Sequence, residues 1–296
     1  MDIISAAPRT KGYWSELLGA ATYTIQGRYR TRIIEAGNGA PLLLLHGTGG
    51  HCENYVRNIM PLSKYFRVVA LDFLWHGASE TAGFEPSIIP KLVDQVLDVA
   101  DTLGIDRFNL EGQSLGGWVA MRTALDHPER LNKLILTTVQ GYQPDSGTIP
   151  GYSEGDASRT KKQSLEILAD PSPENIRRRL ARILFRPELL PDEAVEVRHQ
   201  FYNDPNVNSV QRQLVSVYPD GPEIAKYVVT DKLASRIEAP TLVYWGDNNP
   251  APPPVGRRLA EMIPNARFIS APETGHWAQF ESYELHNREV ISFLSD

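Results

Sequence analysis

Short apolar runs that end in turn residues recur along the chain: PLLLLHG, RVVALDF, FNLEGQS and LNKLILTTV in the first half, APTLVYWG and ARFISAP near the end. Runs of this length, apolar on both faces of the pleat, predict buried strands of a parallel sheet. Ahead of them, residues 22–36 are rich in β-formers around Gly27 and predict a hairpin. Between the runs the period changes. Ile88, Leu92, Val96, Val99 and Leu103 recur at spacings of three and four and predict an amphipathic helix. LGGWVAMRTALDHP predicts a second, stopped at Pro128. Buried strands alternating with amphipathic helices imply βαβ units and an α/β fold.

From about Gln140 to Asp231 that rhythm breaks and no convincing buried strand can be found. A Gly/Pro/Ser-rich stretch, GYQPDSGTIPGYSEGD, leads into helical segments such as SPENIRRRLARILF and PDEAVEVRHQFY. Strand and helix patterns then resume, with helices expected near 255–263 and 281–294. The expectation is one α/β core domain, residues 1–140 and 231–296, interrupted between its sixth and seventh strands by a helical cap, residues 141–230. There are no internal repeats or low-complexity tracts.

Composition narrows the classes of function. The 296 residues carry 30 basic and 36 acidic side chains, net −6, which argues against a nucleic-acid partner because such binding rests on clustered Lys and Arg. The single cysteine, Cys52, can form no intramolecular disulfide and cannot by itself make a zinc site. No pure apolar run is longer than Leu42 to Leu45, and MDIISAAPRTKGYW contains no signal-like stretch. A cytoplasmic protein with no membrane contact and a small-molecule substrate is expected.

The strongest chemical signal is Gly112-Gln113-Ser114-Leu115-Gly116-Gly117, which follows an apolar run and opens a helical one. That is the context of a nucleophile elbow, a sharp strand-to-helix turn that needs small neighbours and exposes the serine hydroxyl at a helix N-terminus. His46-Gly47-Thr48-Gly49-Gly50 follows an earlier strand and fits neither a P-loop nor a dinucleotide fingerprint. In the elbow fold this loop supplies one oxyanion donor, by position the N–H of Thr48, and Leu115 N–H the other. Gly275-His276-Trp277 follows the last strand and makes His276 the candidate general base. Among the other histidines, His46 and His76 read as structural hydrogen-bonding residues of loops, His127, His199 and His286 as surface or helix residues, and His51 stays undecided.

The triad acid is the exception. Chain order places it three residues past Gly246, where the sequence has Asn249 in Gly246-Asp247-Asn248-Asn249-Pro250. An amide carbonyl can orient an imidazole but cannot stabilise an imidazolium with a full charge. Three readings stay open: Asp247 takes the role, Asn249 serves as a neutral orienter, or catalysis has been lost.

With these residues placed, the chain resembles the meta-cleavage product hydrolases, carbon–carbon bond hydrolases of the α/β-hydrolase fold. The densest likeness is GHWAQFESYELHNREVISFL, similar to that family's GHWAQWEHADxFNxLVxxFL; Asn54-Tyr55-Val56-Arg57-Asn58 resembles its N-Y-x-R-N. In the cap, PDEAVEVRHQFY is similar to the segment carrying the family's substrate-binding arginine. The resemblance implies a mostly parallel eight-stranded sheet flanked by helices, with Ser114 as nucleophile or water-activating hydroxyl. It also implies Asn54 and Gln113 at the dienol and its carboxylate, Arg198 gripping that carboxylate, and Trp277 against substrate beside the base. The implied reaction is ketonisation of a 2-hydroxy-6-oxo-dienoate using His276, followed by C–C hydrolysis. No metal or organic cofactor is implied, and a homodimer is a family-level expectation. The chain departs from the family in its shorter oxyanion loop, in Gln113 for the usual asparagine, and in Trp75 where many hydrolases have glycine. An esterase or lactonase using the same serine and histidine is the alternative; a ligand-binding homologue with impaired catalysis is the second.

Overall fold

The computed structural model describes residues 12–145, 155–219 and 221–296. The apolar runs become strands: β1 (Ala21–Gln26), β2 (Arg30–Ala36), β3 (Ala40–Leu45), β4 (Phe66–Leu71), β5 (Phe108–Gln113), β6 (Leu131–Thr137), β7 (Thr241–Gly246) and β8 (Ala266–Ala271). They form one eight-stranded sheet in the order β1-β2-β4-β3-β5-β6-β7-β8. The hairpin expected around Gly27 pairs β1 with β2 antiparallel, from Ala21 opposite Glu35 to Gln26 opposite Arg30. β2 pairs β4 antiparallel, and the remaining neighbours are parallel.

The reason for parallel pairing is visible in burial. Every residue of β5 and β7 is buried, and Leu42 to Leu45 of β3 are fully buried, because helices cover both faces. On one face, α2 (Ile88–Thr102), α3 (Leu115–Asp126) and the later helix at Pro253–Met262 pack around Leu43, Leu45, Leu110 and Trp245. On the other, the short α1 (Ile59–Leu62) and the C-terminal helix at Tyr283–Ser295 cover Leu42, Leu44, Ile135 and Leu242.

Between β6 and β7 the chain leaves the sheet and forms a series of helices: α4 (Gly155–Ala169), α5 (Pro173–Ala181), α6 (Asp192–Asn203), α7 (Pro205–Val217) and α8 (Pro222–Ala225). Most of the Gly/Pro/Ser-rich stretch expected to lead into them lies outside the described residues. The helices carry their own apolar cluster, in which Ile176, Leu180, Val195 and Val197 meet Val56, Trp277 and Phe280 from the core.

Two contacts tie these helices to the loops above the sheet. Gln211 of α7 is buried and donates to the Trp75 carbonyl at 2.5 Å. Glu281 accepts from the backbone N–H of Gly275 and Phe185, both at 2.7 Å, and of Arg186 at 3.0 Å. Trp75 itself sits at φ 67°, the left-handed region, which is the physical reason glycine is common at this turn. Here the ring compensates by burial: it is fully enclosed, and it lies 5.1 Å edge-on to Phe84.

Candidate active site

Ser114 ends β5 and precedes α3 with φ 56° and ψ −116°, a strained conformation of the kind stored at functional turns. The turn is held by Ser114 N–H donating to Thr137 O at 3.2 Å, and by Trp118 and Gln140 N–H donating to Ser114 O, both at 3.1 Å. It closes only with glycines around it. A Cβ on Gly112 would lie 2.2 Å from the Gly116 carbonyl, and one on Gly116 would lie 2.2 Å from the Leu45 carbonyl.

His276 lies in the loop after β8, and its Nε2 is 3.0 Å from Ser114 Oγ. Its Nδ1 is 2.7 Å from Asn249 Oδ1 in the loop after β7. The asparagine is not free to turn: Nδ2 donates to the Ala251 carbonyl at 2.8 Å, so Oδ1 is the atom presented to the ring. A carbonyl at Nδ1 selects the tautomer with the proton on Nδ1 and the lone pair on Nε2 facing the serine, which is what a general base needs. Burial, and then the positive charge of Arg179 on α5, push His276 down to about 4, so the ring rests neutral. Asp247, the other acid considered, is exposed and accepts from Ser270 Oγ. The histidine nitrogen it would have to reach is occupied by Asn249.

His276 is also fixed through its backbone. His276 N–H donates to the Ile183 carbonyl at 2.7 Å, just past α5. Its carbonyl accepts from Gln113 Nε2 at 3.0 Å and from Thr138 Oγ1 at 2.8 Å. Gln113, which the resemblance placed at the substrate, thus uses its amide nitrogen on the His276 main chain.

The loop after β3 lies directly against Ser114. A Cβ on Gly47 would sit 2.6 Å from Gln113 Oε1 and 3.4 Å from Ser114 Oγ. Among the described residues, the N–H groups of Thr48 and Leu115 donate to no protein acceptor, which leaves both available to a developing oxyanion. His46 holds this loop: its Nδ1 lies 2.7 Å from the Gly47 carbonyl, and its Nε2 accepts from Phe73 N–H at 3.0 Å. Burial pushes its pKa well down, so it stays neutral.

Arg198 reaches this loop from α6. It is buried, its Nη2 is 3.5 Å from Asn54 Oδ1, and its Nε has no partner among the described residues. Tyr202, one turn on, lies under the guanidinium at 5.6 Å. No carboxylate forms an ion pair with Arg198 among the described residues. Trp277 is buried, donates from Nε1 to the Asn54 carbonyl at 3.0 Å and stacks on Phe280 at 4.2 Å.

Sequence reasoning missed what joins its two most distinctive motifs. Asn58 Nδ2 donates to the Gln279 carbonyl at 2.9 Å and to Asn287 Oδ1 at 2.8 Å; Asn287 Nδ2 returns to the Arg57 carbonyl at 3.0 Å. The Arg57 guanidinium covers the Phe280 ring at 4.0 Å. His286, read as a surface or helix residue, is on a helix but fully buried, with Nε2 2.9 Å from Glu111 Oε1. Amides at fixed spacing within each motif were visible, but nothing in either motif pointed at its partner some 220 residues away.

This geometry agrees with the comparisons. The chain belongs to the alpha/beta hydrolase fold family, whose model matches residues 40–283, and within it to the meta-cleavage product hydrolases. It is similar to the 2-hydroxy-6-oxo-6-phenylhexa-2,4-dienoate hydrolase of Comamonas testosteroni, 32% identical over 273 residues that cover 88% of this chain and 89% of the relative. It is also similar to the 2-hydroxy-6-oxononadienedioate/2-hydroxy-6-oxononatrienedioate hydrolase of the same species, 30% identical over 275 residues, 90% and 92% of the two chains. A solved 2-hydroxy-6-oxo-6-phenylhexa-2,4-dienoate hydrolase from Rhodococcus sp. strain RHA1 superposes with a TM-score of 0.80 at 24% identity, covering 93% of this chain and all of that one. That likeness bears on the fold.

Proposed function

We propose that this protein is a serine-type hydrolase that cleaves a carbon–carbon bond in a 2-hydroxy-6-oxo-dienoate produced by meta-cleavage of an aromatic ring. The observation that carries the reading is Arg198: a buried guanidinium with no carboxylate partner among the described residues, beside the loop that flanks Ser114. A buried cation costs free energy unless something neutralises it, and a planar two-pronged donor suits a carboxylate. A simple ester gives Arg198 nothing to bind; a dienoate does. The named relatives act on substrates of this class.

In this reading the carboxylate binds Arg198 with Asn54 beside it, and the distal carbonyl lies over Ser114. Once the dienol has become its keto form, the bond next to that carbonyl can break with the electron pair taken up by the new dienol. Ser114, or a water it helps activate, attacks the carbonyl while His276 Nε2 takes the proton. The Thr48 and Leu115 N–H groups hold the oxyanion, and His276 then gives the proton back. The products are a 2-hydroxydienoate and a carboxylic acid. Asn249 acts as the neutral orienter, and Trp277 packs beside the base.

No helix among the described residues is long and apolar enough to cross a membrane, and no group of His, Cys, Asp and Glu among them is arranged to hold a metal ion. The proposal is of a cytoplasmic, cofactor-independent enzyme whose partner is its small-molecule substrate; a homodimer is what family membership implies. The test is stopped-flow absorbance with a ring-cleavage dienol alongside a p-nitrophenyl ester panel. Dienol turnover supports the reading, whereas strong ester turnover with none on the dienol would replace it with an esterase.

A further inference from the structure

Arg198 is not the only cation on the helices between β6 and β7 that lacks a carboxylate among the described residues. α5 carries three consecutive arginines, and two of them are tied down: Arg177 pairs with Asp192, and Arg178 Nη2 donates to Asn175 Oδ1 at 2.6 Å. Arg179, partly buried, makes no hydrogen bond or ion pair among the described residues. Its helix face is the inward one. Ile176, three residues earlier, is buried in the cluster that holds Trp277 and Phe280. Just past the helix, the Ile183 carbonyl takes the His276 N–H at 2.7 Å, and a Cβ on Gly275 would lie 2.5 Å from that same carbonyl. α5 therefore lies directly over the loop that carries His276.

The charges around this loop do not balance. The positive charge of Arg179 reaches His276, and Arg179 in turn faces Tyr202, Arg198 and Arg182; among the described residues no carboxylate acts on either. Burial, and then Arg198 and Arg182, oppose the charge on Arg179, while Tyr202 favours it. Asn249 is neutral where a triad acid would stand, and His276 rests neutral. A first carboxylate on Arg198 leaves Arg179 unanswered, and a cation shielded from water costs free energy until an anion meets it. The room for one is there: Arg179 lines a cavity of about 460 Å³ between α4 and α5, together with Gln163, Ile167, Arg178 and Arg182. Glu166 and Asp170 also border it, but both are exposed and neither pairs with Arg179.

We propose that Arg179 binds a second carboxylate, carried at the end of the substrate's 6-acyl tail, so that the chain selects a dianionic 2-hydroxy-6-oxo-dienoate over one with a neutral tail. This rests on the dienoate reading and names the substrate within it. The order along the site is then Arg198 of α6 at the first carboxylate, Ser114 under the reacting carbonyl, and Arg179 of α5 beyond His276 at the tail. Hydrolysis gives a 2-hydroxydienoate and a dicarboxylic acid, with the same bonds broken and formed as before. The tail carboxylate also acts on His276. By neutralising Arg179 it removes the charge that opposes the imidazolium, so the ring takes up a proton more readily with the dianion bound.

The test uses two dienoates that differ only at the tail end, carboxylate against methyl, in the stopped-flow cleavage assay. Wild type should favour the dianion in kcat/KM by about tenfold or more. Arg179→Gln should cut that ratio by about ten- to hundredfold, the usual worth of hydrogen bonding to a charged group. Arg179→Lys keeps the charge and should keep part of the ratio. The acid limb of kcat gives a readout that a packing role would not move: in wild type it should lie at higher pH with the dianion than with the methyl-tailed substrate, and in Arg179→Gln the two limbs should coincide. A ratio left unchanged by Arg179→Gln overturns the proposal, whether because the tail binds elsewhere or because Arg179 shares the first carboxylate with Arg198. If Arg179→Gln does not fold, as judged by its melting curve, wild type decides: no preference for the dianion, or coincident limbs, overturns the proposal. If wild type consumes neither dienoate, the dienoate reading fails first and takes this assignment with it.

Discussion

Replacing Asn249 with aspartate isolates what the missing charge is worth. His276 Nδ1 is 2.7 Å from Asn249 Oδ1, so the charge centres of an aspartate and an imidazolium would stand about 4 Å apart. At an effective dielectric of about 20 that attraction is about 4 kcal/mol, or about 3 pKa units at 1.36 kcal/mol each. Opposing it, the aspartate loses the hydrogen bond from Nδ2 to the Ala251 carbonyl and sets two oxygens facing each other, at a cost of about 1–3 kcal/mol. The net is about 1–3 kcal/mol of transition-state stabilisation, or roughly ten- to hundredfold in the cleavage rate. The pH profile gives the sharper signature. The base must be neutral to work, and His276 stands at about 4 in the native chain, so cleavage should hold its rate down to mildly acidic pH. In Asn249→Asp the acid limb should rise by about 1–2 units, the same net at 1.36 kcal/mol per unit. The assay is the cleavage phase in stopped flow from pH 4 to 9. A limb that stays in place, with the rate unchanged, would refute the claim that Asn249 sets the state of His276.

Further outcomes follow from the same contacts. Ser114→Ala should fold normally, shown by an unchanged melting curve, and lose at least about 10⁴-fold in cleavage. Arg198→Gln should raise KM for a dienoate roughly ten- to hundredfold, from the loss of about 1.5–3 kcal/mol of charge-assisted bonding, while a neutral ester loses little. Gly116→Ala drives a Cβ to 2.2 Å from the Leu45 carbonyl and should cost about 1–3 kcal/mol or more in urea unfolding, together with the elbow geometry. Four histidines, His46, His51, His76 and His276, have pKa values below that of the unfolded chain. Between about 6.5 and 4 the unfolded chain therefore binds more protons, and stability should fall as pH drops through that window, which a melting series from pH 8 to 4 would show.

Local pattern determined much of this protein. Apolar runs of strand length, separated by helical periods, are enough to specify buried parallel strands, because only helices on both faces let a strand be apolar all round. The elbow was legible partly for the same local reason: Gly112 is demanded by Gly116 and Gly117 within one strand–turn–helix unit, whereas Gly116 is demanded by Leu45 of β3 and Gly117 by Val139 after β6. The loop after β3 was legible as well through its glycine pattern, and Gly47 lies directly against the elbow.

What the tertiary structure alone decided is which groups from distant segments share one space. Asp247 and Asn249 are two residues apart in one turn and chemically both able to face a histidine. The choice fell to Ala251, whose carbonyl locks the Asn249 amide, and to Ser270, which takes Asp247 outward. His51 could not be assigned from its neighbours in sequence, because its partner Glu53 is itself held by Arg32 from β2. A charge or an amide is directional only once its partners are in place. Hydrophobic periodicity is read along the chain, whereas a buried polar group takes its role from whatever neutralises it across the fold.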